Sequence, residues 1–209
     1  MTDICTEKQF LLDVKHHKMS IKHDDGVYRH VLFKRKYKGV NEDVHWFELT
    51  TWPKHICISG DMGCYVLARL KYTLDPCLED MFRFFRTKQL GINPIYWSEQ
   101  LQSNSAQEGF REFSEEKFLA NVREHFDMLF SDYSKKQQED AWLKLDSELL
   151  FDLVGESPDK HYSQLMDYEF DDFPERFTDF WEYDSNTYTY HFIWCLRAIN
   201  WGIRQYDAV

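Results

Sequence analysis

The sequence predicts an α+β fold, a small antiparallel sheet packed by helices, on three observations. Apolar and polar residues alternate with period two over about residues 28–70, as half-buried strands require. From about residue 79 the apolar spacing changes to three and four, the helical period. Third, 17 Phe, 12 Tyr and 7 Trp stand beside only 8 Gly and 5 Pro, so rings supply much of the packing. The 209 residues are read as one domain, 1–209, with about four strands and about four to six helices, including a buried C-terminal one.

The elements follow in chain order. Phe10, Leu11 and Val14 share one face of a short opening helix over 7–15 that ends near His16 and His17. After the Asp24-Asp25-Gly26 turn signal, residues 28–34 are β-prone, and Lys34-Arg-Lys-Tyr-Lys38 with Gly39 reads as an exposed basic turn. His45, Phe47, Leu49 and Thr51 alternate with Trp46, Glu48 and Thr50; Pro53 interrupts, and His55-Ile-Cys-Ile58 resumes. Gly60–Gly63 reads as a hairpin connection into the strand 64–70. Glu79-Asp80 opens a short helix that closes at Arg83 and Arg86, matching the macrodipole. Asn93 caps and Pro94 begins a helix through Leu101, and Ser103–Gly109 is linker-like. Ser114 caps a helix whose stripe is Phe118, Val122, His125, Phe126 and Leu129. Trp142, Leu145, Leu149 and Leu153 mark another over about 135–153, stopped by Gly155 and Pro158. Residues 188–206 are apolar on most sides, as a buried central helix is.

Composition excludes several classes. The formal net charge is −11, which disfavours direct binding to nucleic acid or to an anionic membrane. Residues 1–90 hold 15 Lys and Arg against 12 Asp and Glu, whereas residues 91–209 hold 10 against 24. Five cysteines without a Cys-x-x-Cys pair indicate neither a disulfide framework nor a zinc ribbon, and a reducing cytoplasm fits them. The start, with Thr2, Asp3 and Glu7, lacks a basic segment followed by an apolar one, and no run of about 18 uncharged apolar residues occurs.

Several separated motifs carry a resemblance. Ile58-Ser-Gly-Asp-Met-Gly63, Asp80-Met-Phe-Arg-Phe-Phe85, Ile92-Asn-Pro94 with Tyr96-Trp97, and the ending Phe192-Ile-Trp-Cys-Leu-Arg-Ala-Ile-Asn-Trp-Gly-Ile-Arg-Gln-Tyr-Asp207 resemble a family of tailed-bacteriophage and prophage accessory proteins. The link Leu74-Asp-Pro-Cys-Leu78 is longer than that family's usual one. The resemblance brings no activity with it. It implies an accessory protein in the cytoplasm of an infected host bacterium rather than a virion component.

The feature singled out for function is the acidic stretch, where Asp167, Glu169, Asp171, Asp172, Glu175, Asp179, Glu182 and Asp184 face Arg176 alone. Tyr168, Trp181 and other rings interleave with them, so the segment is expected to fold onto the body with its carboxylates in water. Carboxylates on one ridge compete for a basic groove that holds nucleic acid, and Tyr and Trp supply desolvated anchors. With the resemblance, this predicts a phage protein that binds and inhibits a nucleic-acid-binding host protein, such as a CRISPR effector or another antiviral defence component. The alternative use of these carboxylates is a solubilising face.

Two other classes stay open. An enzyme would use the Gly60–Cys64 loop, with Asp61, Cys64 and His55 for nucleophilic or acid–base work, against the plainer reading of a tight turn. A homo-oligomeric scaffold would use the Trp and Phe excess. His16, His17 and His23, or His55 with Cys57, lack ligand spacing, so no metal is expected. No Walker loop or Gly-x-Gly-x-x-Gly occurs, so no cofactor is expected either.

Overall fold

The structure is a computed structural model that describes residues 4–37, 40–69, 79–87, 91–104 and 109–209. In chain order the elements are α1 (Glu7–Asp13), β1 (His17–Asp25), β2 (Tyr28–Tyr37), β3 (Val40–Trp52), β4 (His55–Gly60) and β5 (Gly63–Ala68). They continue with α2 (Met81–Phe85), α3 (Pro94–Ser98), β6 (Leu101–Asn104), β7 (Arg111–Phe113), α4 (Glu115–Leu129) and α5 (Lys135–Leu145). The last are α6 (Phe151–Leu153), α7 (Pro158–Asp167), β8 (Asn186–Tyr188) and α8 (Tyr190–Asp207). The fold class is α+β, with antiparallel pairing throughout the main sheet. The chain forms two compact units, Thr2–Arg111 with Tyr188–Val209, and Glu112–Thr187.

The first unit is a six-stranded meander in the order β1 to β6, two strands more than the about four expected. Its period-two pattern sends Val31, Phe33, Phe47, Leu49, Ile56, Ile58, Tyr65 and Leu67 to one buried face. Helix α8 covers that face, burying Phe192, Trp194, Leu196, Ile199 and Ile203 in the same core. The Trp194 ring meets Phe10 and Phe47 edge-on at 5.2 and 5.7 Å. Gly202 sets how close α8 comes: a Cβ there would lie 2.9 Å from Leu49 Cδ1 and 3.2 Å from the Phe33 ring. Thr189 caps α8 by accepting from the Phe192 N–H.

Three expectations are corrected in this unit. Residues 34–37 of the basic run continue β2, so they are strand and not turn; Lys38 and Gly39 lie outside the described residues, as does the 74–78 link. Helix α3 stops at Ser98, and Leu101–Asn104 pairs with β5, taking Ser103 and Asn104 out of the linker, whose residues 105–108 lie outside the described ones. Residues 17–25, given no element from sequence, form the edge strand β1.

The second unit is helical around its own aromatic core. Phe118, Val122, Phe126 and Phe130 from the α4 region pack with Leu145, Leu165, Phe170, Phe177 and Phe180. Ser114, Ser134 and Ser157 each accept a backbone N–H at a helix start, and Ser134 with Gln137 completes a capping box. The helix expected over 135–153 contains a π-helical turn, Asp146–Leu150, between α5 and α6. Gly155, at φ 77°, ends it, while Pro158 begins α7 rather than only stopping what precedes it.

Candidate functional site

The acidic stretch belongs wholly to the second unit, and that unit concentrates the charge of the chain. Residues 112–187 hold 21 Asp and Glu against 7 Lys and Arg, a formal net charge of −14. From the end of α7 the backbone runs irregularly, dropping Phe170, Phe177 and Phe180 into the core while Asp167, Glu169, Asp171, Asp172, Asp179, Glu182 and Asp184 stay exposed. The rings therefore hold the segment down and the carboxylates face water.

Several carboxylates are engaged within the unit. Lys144 Nζ donates to Asp172 Oδ2 at 2.9 Å and lies 3.8 Å from Asp171, and the Asp172 hydrogen bond pushes the lysine up from its ordinary value. Arg176 pairs with Glu169 at 2.7 Å, and Lys117 with Asp184 at 3.4 Å. The Tyr133 hydroxyl donates to Glu175 Oε1 at 2.6 Å, an acceptor that raises the phenol's pKa. Tyr168 donates to Glu148 Oε2 at 2.9 Å; burial, then that hydrogen bond, holds the phenol protonated well above its ordinary value. Glu175 is thus half-buried, and Tyr168 is tied to the unit's own surface.

Asp179, Trp181 and Glu182 stand differently. Asp179 takes a left-handed conformation, φ 58°, and starts the 3₁₀ turn Phe180–Glu182. That turn buries Phe180 completely and leaves the neighbouring Trp181 60% exposed. Large aromatics on a surface are the usual anchors of an interface, because they bury much area at little conformational cost.

The structure does not bring His55, Asp61 and Cys64 together. His55 pairs with Ala68 and Cys64 with Ser59, four residues apart along β4, or about 13 Å at strand rise. The His55 ring stacks on Trp52 at 5.0 Å, and its Nδ1 bonds the Pro53 carbonyl. Asp61 and Met62 form the two-residue hairpin connection between β4 and β5, with Gly63 at φ 106°. Gly60 is required for another reason: a Cβ there would lie 2.2 Å from the Trp46 carbonyl. The Asp61 carboxylate accepts the backbone N–H of His45 at 2.8 Å, and His45 is itself left-handed at φ 54°. Asp13 receives the Trp194 indole N–H at 3.0 Å and lies 4.0 Å from His45 Nδ1. Nothing in the local sequence signals this Asp13–His45–Asp61 network, whose members are far apart along the chain.

A hollow of about 380 Å³ in the second unit is lined by Arg123, Lys135, Gln138, Glu139, Trp142 and Leu143, apart from every candidate residue named above. Among the described residues no group of three or more His, Cys, Asp or Glu is arranged to hold a metal ion. Among them, too, no helix is long and apolar enough to cross a membrane. Comparison of the chain with protein families, curated proteins and solved structures found no match in any of the three.

Proposed function

We propose that this chain is a phage-encoded accessory protein that captures a basic, nucleic-acid-binding host protein through the acidic unit 112–187 and so keeps that protein from its nucleic acid. The carrying observation is the exposed Trp181 between Asp179 and Glu182, on a unit of net charge −14. The long-range field steers a positively charged groove toward the unit, and Trp181 supplies the apolar anchor that charge alone lacks. A nucleic-acid-binding component of antiviral defence, such as a CRISPR effector, has a groove of that kind. Asp171 and Asp172 contribute less than their position suggests, because Lys144 already partly neutralises them.

The test is capture of partners from bacterial lysate by the tagged full chain, with washes of rising salt and competition by double-stranded DNA. We expect salt-sensitive capture that DNA displaces, weakened about tenfold or more by Trp181→Ala, and weakened further by Asp179→Asn with Glu182→Gln. Asp171→Asn with Asp172→Asn has a smaller effect. Capture that ignores all of these changes removes the surface from the proposal. Recovery of the chain alone, as an oligomer, supports the scaffold reading in its place.

A further inference from the structure

The face of the first unit's sheet turned away from the core carries a thiol pair that the proposed partner binding does not use. The β4–β5 register pairs Cys57 with Val66 and Ser59 with Cys64. Because Ile56, Ile58, Tyr65 and Leu67 point into the core, alternation sends Cys57, Ser59, Cys64 and Val66 to the opposite face. Cys57 and Cys64 are therefore diagonal neighbours on adjacent strands, with their sulfurs 3.9 Å apart. Cys64 is exposed and Cys57 half-buried. By contrast, Cys5 and Cys195 are buried in the core, each with its sulfur directed at a backbone carbonyl, of Thr6 and Met62 respectively.

We infer that Cys57 and Cys64 are a reversible two-electron redox pair, oxidised by a hydroperoxide to an intramolecular disulfide. Cys64, the sulfur that solvent reaches, attacks the peroxide O–O bond as its thiolate. It becomes a sulfenic acid, and the leaving oxygen departs as water or alcohol after taking a proton. Cys57 then attacks the Cys64 sulfur; the S–O bond breaks, and the hydroxide released leaves as water with the Cys57 proton. Two thiols are oxidised and one peroxide is reduced. In the reduced pair the Cys57 thiol is pushed up to about 12, first by burial and then by Cys64 and the Glu48 carboxylate. Converting Cys64 to a neutral sulfenic acid removes the Cys64 share of that effect, so Cys57 ionises more readily for the second step than in the reduced pair.

Geometry also makes the bond reversible. The sulfurs need only close from 3.9 Å to about 2.05 Å. The loop it closes is the short β4–β5 hairpin, already tight, so little chain entropy is gained. Disulfides that solvent reaches are the easily reduced ones, and Cys64 is exposed.

The test is intact-mass and thiol analysis of the reduced full chain after a small excess of hydrogen peroxide, followed by alkylation. We expect a mass loss of about 2 Da, two of the five thiols lost, a peptide linking Cys57 to Cys64, and full recovery with dithiothreitol. Cys57→Ser should replace the mass loss by stepwise oxygen addition at Cys64, and Cys64→Ser should slow oxidation of Cys57. Both side chains lie off the core face, and the mass change of the unsubstituted chain is decisive without either variant. Oxygen addition at Cys64 without the mass loss, no reaction, or a linkage through another cysteine overturns the inference.

Discussion

His125 occupies a place in the acidic unit that an uncharged ring fills best. It is buried against Phe177, Phe180 and Tyr183, with ring centroids 5.2–5.7 Å away. Burial lowers its pKa from the ordinary histidine value. His17, buried beside Phe47 in the sheet unit, shifts the same way, chiefly through burial. The unfolded chain thus takes up protons on these rings at a higher pH than the folded one, so stability rises with pH through that window. We expect the melting temperature to be highest above about pH 7 and to fall as the pH drops through about 6.5, the unfolded value, toward the lower folded value. His125→Leu should flatten that fall for residues 112–187 in melting curves recorded across the range. An unchanged slope would assign the acid sensitivity to other groups.

At the scale of elements, α8 on the sheet is the decisive packing. Gly202→Ala would put a methyl 2.9 Å from Leu49 and 3.2 Å from Phe33 in a filled core, an overpacking cost of about 1–3 kcal/mol, readable as a lower denaturant midpoint. This helix was legible in the sequence because its residues are apolar around most of the axis. So were the caps at Asn93 and Ser114 and the hairpin at Gly60–Gly63, where a local rule needs only a few neighbouring residues. Strand β1 was not legible: beyond His17 it is nearly all solvent-facing, so no alternation marks it as an edge strand. Strand β6 is short and mostly exposed, and its pairing with β5 is set by distant residues. The acidic stretch was legible as composition and as rings turned inward. Its internal partners were not, since Lys144, Tyr133 and Glu148 lie 20 or more residues from the groups they hold.

At the scale of the whole molecule, the charge and the two cores divide along the same lines. Residues 112–187 have a hydrophobic cluster of their own and carry the whole acidic excess, since the remaining residues hold 15 Asp and Glu against 18 Lys and Arg. We expect this segment, produced alone, to keep helical circular dichroism and to melt cooperatively. Its midpoint should rise with added salt, because screening relieves the repulsion of a net charge of −14. A fragment without cooperative melting would show that its core needs the remaining chain. The sheet unit is interrupted where 112–187 is not, and its covering helix α8 comes after that long insertion. Synthesis is vectorial, so β1 to β6 leave the ribosome well before the residues that cover them. At translation speed the interval between the end of β6 and the end of α8 is roughly 5–20 s. During it the rings of Phe33 and Phe47 lack the cover of α8, and an uncovered apolar face of that kind is prone to aggregate. Ribosomes that stop short of residue 190 would release a chain whose sheet never acquires its cover.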